Sequence, residues 1–154
     1  MKKIEKIRFK TLAFIDEYIF LLGYYVIMER EINHLVKDFL EQLRDTEYFS
    51  KIEFIILYGS SLGLYHLDDS DIDICLYFDA DEKNLSKIRL ELLKKFNENF
   101  DIQMFQLLPL YVQIEVLKGK ILYVKEEDRI YEIANETIDE YEEFYPFYLD
   151  YINR

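Results

Sequence analysis

The run Ile52-Glu53-Phe54-Ile55-Ile56-Leu57-Tyr58 narrows the fold more than any other segment of the chain. It is almost continuously apolar, rich in β-branched and aromatic residues, and halted by Gly59. Such a run reads as a buried strand. A second run of the same kind, Ile72 to Phe78, follows closely. Before them lie two helical stripes. The first, between Lys3 and Met28, carries Ile4, Ile7, Leu12, Ile15, Ile19, Leu22 and Val26. The second places Ile32, Leu35, Val36, Phe39, Leu40 and Leu43 at the spacing of one buried helix face.

The pattern after the second strand predicts a helix over Glu82 to Asn99 and a third strand from Asp101 to Leu107. Pro109 then opens a helix that ends near Gly119, its C-cap. A short strand, Ile121 to Val124, precedes a helical tail from Arg129 to Pro146. Strands alternating with helices imply an α+β (α/β-like) domain with a small mixed sheet and flanking helices. The expected organisation is an N-terminal helical region, 1–46, and one compact domain, 47–154.

Composition sets the outer limits. With 154 residues and 51% hydrophobic content the chain has enough apolar material for a core. Nineteen Lys and Arg against 31 Asp and Glu leave a net charge of −12, which argues against a broad nucleic-acid surface. A single cysteine, Cys75, excludes an internal disulfide and a Cys-based zinc site, and suits a reducing compartment. The basic start (Lys2, Lys3, Lys6, Arg8, Lys10) precedes an apolar run from Ile19 to Met28. Asp16 and Glu17 interrupt the approach to it, and it is shorter than the roughly 20 residues a bilayer requires. The expectation is a cytoplasmic protein with no membrane segment.

Chemistry concentrates in Gly59-Ser60, the ten residues Ser61 to Ser70, and Asp71-Ile72-Asp73. Alternate residues of a strand share a face and lie ~6.7 Å apart, so Asp71 and Asp73 project together. Two carboxylates aimed at one place repel, and a divalent cation relieves the conflict. Magnesium favours such oxygen ligands together with substrate phosphates. Gly59, lacking Cβ, lets backbone N–H groups approach phosphate oxygens, and Ser60 adds a hydroxyl donor. The pair of features suits a nucleoside triphosphate site.

This arrangement resembles the signature of the DNA polymerase β-type nucleotidyltransferase superfamily. Over roughly Ile52 to Tyr145 the chain is similar to the minimal nucleotidyltransferases (MNT), small prokaryotic proteins that commonly act as antitoxins beside HEPN-domain toxins. The segment Glu115 to Tyr123, with Gly119, looks like the helix, glycine and strand near the end of such domains. The resemblance implies Gly59 and Ser60 as nucleotide-binding residues. It implies Asp71, Asp73 and Asp101 as catalytic residues and as ligands of magnesium, two ions in all. ATP would be the substrate, AMP the group moved, and a tyrosine of a HEPN toxin the acceptor. Asp101 stands where the family carries its third acid, at a strand start after a helix. Many family members place an arginine directly after Gly-Ser. Here Ser61 and Leu62 stand instead, and His66 is the spacer's only candidate cation.

Two alternatives stay open at this point: an antitoxin that works by occlusion alone, and a nucleotidyltransferase acting on a small molecule or an RNA end. Arg30 and His34 are separated by three residues, which does not match the four-to-six spacing of the toxin's own RNase motif. The aromatic faces of the N-terminal helix and of the C-terminal tail (Tyr141, Phe144, Tyr145, Phe147, Tyr148, Tyr151) are candidate surfaces for a partner or for a homo-oligomer.

Overall fold

The computed structural model describes residues 29–62, 71–96 and 98–154. The expected first helix, with its N-terminal stripe, and His66 with most of the Gly-Ser to Asp spacer lie outside these residues. The chain divides into two compact units, Met1–Asp38 and Phe39–Arg154. In the first, residues 29–38 are helical, and His34 Nδ1 lies 3.1 Å from the Asp38 carboxylate one turn on. In the second, residues 39–44 are helical, and we call the helical residues 29–44 α1.

The second unit continues with β1 (Ile52–Tyr58), β2 (Ile72–Phe78), α2 (Glu82–Lys95), β3 (Phe100–Met104), α3 (Leu110–Leu117), β4 (Lys120–Val124) and α4 (Glu127–Ile152). The strands form one sheet in the order β3-β2-β1-β4. β1 pairs antiparallel with both β2 and β4, and β2 pairs parallel with β3 through the α2 crossover. The architecture is mixed α+β, as the alternation of periods predicts.

Two apolar layers sandwich the sheet. On one face Phe54, Ile56, Cys75, Phe105, Val116, Ile130 and Ile133 form a cluster between the sheet, α3 and α4. Cys75 is fully buried there, and burial raises its thiol pKa far above the ordinary range. The opposite face carries Ile55, Leu57, Ile74, Leu76 and Ile102, all buried. There Phe39 stacks with Phe96 and Phe100 at centroid distances of 4.4 and 4.8 Å. α2 contributes Leu85, Ile88 and Leu92 from one stripe.

Four expectations need correction. α2 stops at Lys95, not Asn99, because Phe96 turns extended and its N–H closes on Leu92 O at 2.9 Å. The third strand starts one residue early, at Phe100, and gives way after Met104 to a 3-10 turn, Phe105–Leu107. That turn sends Phe105 into the core instead of extending the ladder. The C-cap of α3 is Lys118 in ordinary right-handed geometry, not Gly119. Gly119 is required for space: a Cβ there would sit 2.4 Å from Leu57 O and 2.7 Å from Ile56 Cγ2. Last, α4 does not end at Pro146 but passes through it to Ile152. The proline ring removes one N–H and crowds the preceding turn, and the helix runs on around it on the molecular surface.

Candidate active site

β1 delivers the chain to Gly59 at the end of the central antiparallel pair, where a short 3-10 turn, Gly59–Leu62, begins. Gly59 has φ +73°, the left-handed region that side chains with a Cβ avoid. A Cβ at this position would lie 2.2 Å from Oδ2 of Asp73. The turn therefore needs glycine twice, once for its backbone angle and once because its Cα faces a carboxylate. Gly59 and Ser60 are both exposed.

The register of the sheet assembles the acids. Tyr58 on β1 pairs with Asp73 on β2, and Asp73 pairs with Asp101 on β3. Residues in register share a face, so Tyr58, Asp73 and Asp101 form one row across three strands, with neighbours about 4.8 Å apart. The row beneath it is Ile56, Cys75 and Gln103, of which Ile56 and Cys75 belong to the buried layer already described. Asp71 precedes β2 by one residue and is exposed. The Ile72 N–H bonds Asn99 O at 2.7 Å, which ties this start of β2 to the entry into β3. Asp73 and Asp101 are thus direct neighbours, and Asp71 stands two residues further up at the mouth of the same edge.

Among the described residues the carboxylate of Asp101 has Gln103 and Arg89 as partners. Gln103, two residues on and hence on the same face, donates its side-chain N–H groups to Oδ1 and Oδ2 at 3.0 and 3.1 Å. Arg89 reaches over from α2. Its Nε donates to Ile102 O at 2.7 Å, and its terminal nitrogen lies 3.7 Å from Asp101 Oδ1. β3 is an edge strand, so the Ile102 carbonyl has no strand beside it, and the guanidinium fills that place. With 30% and 36% of their side-chain surfaces exposed, Arg89 and Asp101 are partly screened by solvent. Tyr58 closes the row from the other side. Burial raises its hydroxyl pKa well above the usual tyrosine value, and Cys75, Asp73 and Asp101 push the same way while Arg89 opposes them. The phenol stays protonated and neutral beside two carboxylates.

Among the described residues no three His, Cys, Asp or Glu side chains gather closely enough to form a metal-binding group. Asp71, Asp73 and Asp101 are brought to one end of one sheet face but not drawn into a closed cluster. Asp101 is held by Gln103 and Arg89. The donor chemistry, hard oxygen on adjacent strands beside a glycine turn, fits magnesium.

Sequence reasoning missed Arg89, Gln103 and Tyr58. Gln103 was accessible through parity, since residues i and i+2 of a strand share a face. Arg89 was not, because its reach depends on how α2 lies over β3.

Residues 40–128 match the family model described as polymerase beta, nucleotidyltransferase. A candidate protein adenylyltransferase of Methanocaldococcus jannaschii, MJ1547, is 39% identical over 75 residues, a match that spans 48% of this chain and 57% of that protein. Two solved structures share the fold. A chain from a toxin–antitoxin crystal structure with AMP-PNP superposes with a TM-score of 0.57 at 24% identity, covering 81% of this chain and 95% of that one. A chain from the complex of tri-AMPylated Shewanella oneidensis HEPN toxin with MNT antitoxin superposes with a TM-score of 0.51 at 20% identity, covering 84% and 96%. Among the described residues no helix is long and apolar enough to cross a membrane.

Proposed function

The chain belongs to the polymerase β nucleotidyltransferase family, and on that premise we propose that it transfers AMP from ATP to a hydroxyl, the acceptor being a tyrosine of a HEPN-domain toxin. The observation that carries the reading is the row formed by Asp73 and Asp101, with Asp71 above it and the Gly59 turn against Asp73. The adenylyltransferase name borne by the Methanocaldococcus relative supports AMP as the group moved. The toxin–antitoxin structures, one of them with a tri-AMPylated HEPN toxin, support the acceptor.

The residues of the site divide the work of this reaction. The exposed N–H groups of the Gly59-Ser60 turn and the Ser60 hydroxyl bind the outer phosphates. Asp71, Asp73 and Asp101 would hold magnesium. When bound, magnesium neutralises triphosphate charge and stabilises charge that develops on the reacting oxygens. Asp101 lies beside Asp73 and next to Arg89, and it accepts the proton of the incoming hydroxyl. The acceptor oxygen bonds to the α-phosphorus, the bond from that phosphorus to the β-phosphate bridge breaks, and pyrophosphate leaves. Positioning and electrostatics supply most of the acceleration. Gln103 and Arg89 act through Asp101, orienting its carboxylate between turnovers.

A second reading, neutralisation of a partner by occlusion, draws support from the absent arginine after Gly59-Ser60. One experiment separates them. The protein is incubated with ATP labelled at the α-phosphate, magnesium and a HEPN-domain protein. Transfer predicts label on a tyrosine of that protein and its loss in Asp71→Ala/Asp73→Ala. Absence of label, with neutralisation that survives the double substitution, establishes occlusion and overturns transfer.

A further inference from the structure

The apolar stripe of α4 does not stop where the domain does. Near its start the helix buries Ile130, Ile133 and Thr137 against the sheet. At 3.6 residues per turn the stripe runs on through Tyr141, Phe144, Tyr145, Tyr148, Leu149 and Ile152. None of these six is buried. Phe144 is 45% exposed, Tyr145 42% and Ile152 53%. Among the described residues the rings meet one another, Tyr141 with Tyr145 at 5.5 Å and Phe144 with Tyr148 at 6.3 Å, each one turn apart. Residues 138–152 extend about 22 Å of helix past the last buried position. A lone helix of that length is marginal in water, and this one also contains Pro146.

Charge decides what covers it. Residues 138–152 carry Asp139, Glu140, Glu142, Glu143 and Asp150 and no lysine or arginine. On a helical projection Glu142 and Glu140 flank the stripe on its two sides, and the other three lie behind it. A second copy would set this acidic rim against an identical one, on chains that each carry −12. A homotypic pairing through this face is therefore disfavoured. We propose that the distal stripe of α4 is a docking helix for a different protein, one that offers an apolar groove rimmed by lysine and arginine, in the helix-in-groove mode. This surface stands independently of the transferase reading, since none of its residues belongs to the acid row.

The test uses the full chain and two synthetic amphipathic peptides with the same leucine face, one flanked by lysines and one by glutamates. Sedimentation velocity gives the state of the chain alone, and fluorescence anisotropy gives peptide affinity. The expected result is a monomer that binds the lysine-flanked peptide at least about tenfold more tightly than the glutamate-flanked one. That binding should fall at least about tenfold in Phe144→Ser/Tyr148→Ser. The charge-reversed variant Glu140→Lys/Glu142→Lys should invert the preference. It alters only exposed positions, so it decides the matter if the serine variant loses helical circular dichroism. Self-association abolished by the serine substitutions would overturn the proposal in favour of a second copy. Equal binding of both peptides, or none, would overturn it too.

Discussion

At the scale of single residues, two glycines do different work. Gly59 was legible in the sequence because a Gly-Ser after an apolar run signals a turn that needs a positive φ, and its φ is +73°. Gly119 was legible only as a helix end. Its contact with Leu57 O and Val116 O appears once β1 and α3 are packed, and no local pattern encodes that. Gly119→Ala places a methyl against backbone that cannot swing away. It should cost about 1–3 kcal/mol, read as a lower urea midpoint at unchanged slope. Tyr58 gives a second residue-scale expectation. Its pKa in the folded state lies above the unfolded value of about 10. The stability it contributes is therefore complete below about pH 10 and is lost as pH rises beyond it. Melting temperatures measured from pH 8 upward should fall less steeply above pH 10 in Tyr58→Phe than in the parent.

At the scale of elements, β1 and β2 lie where their composition puts them, Ile52–Tyr58 and Ile72–Phe78. Continuous β-branched runs bounded by Gly or Asp leave little choice. Ends decided by tertiary packing were less legible. The 3-10 turn at Phe105–Leu107 replaces strand because Phe105 is more stable in the cluster with Phe54 and Tyr77. Gln113 further fixes this turn by donating its side-chain N–H to Phe105 O at 2.9 Å. The candidate site shows the same division. Asp71 and Asp73 were readable from spacing and Asp101 from the family resemblance, whereas the parallel register that sets Asp73 beside Asp101 belongs to the sheet alone. α4 supplies an element-scale test. Pro146 lies beyond the last buried residue of the helix. Pro146→Ala should therefore slow amide hydrogen exchange locally, over residues 142–152, by an amount corresponding to at most about 3 kcal/mol. The global melting temperature should stay nearly unchanged.

At the scale of the whole molecule, the charge of −12 and the candidate site are connected. An acidic chain repels a triphosphate at long range, so tight nucleotide binding demands local compensation. Arg89 beside Asp101 is one source of it, and the backbone donors of the Gly59 turn are another. On the proposed reading, magnesium supplies the rest of the charge that offsets three carboxylates and a triphosphate. Isothermal titration of the full chain with ATP addresses that requirement most directly. With magnesium present, saturable binding should appear. With EDTA, or in Asp73→Asn/Asp101→Asn, it should weaken at least about tenfold, corresponding to about 1.4 kcal/mol or more. ATP affinity that is indifferent to magnesium and to both substitutions would contradict the account.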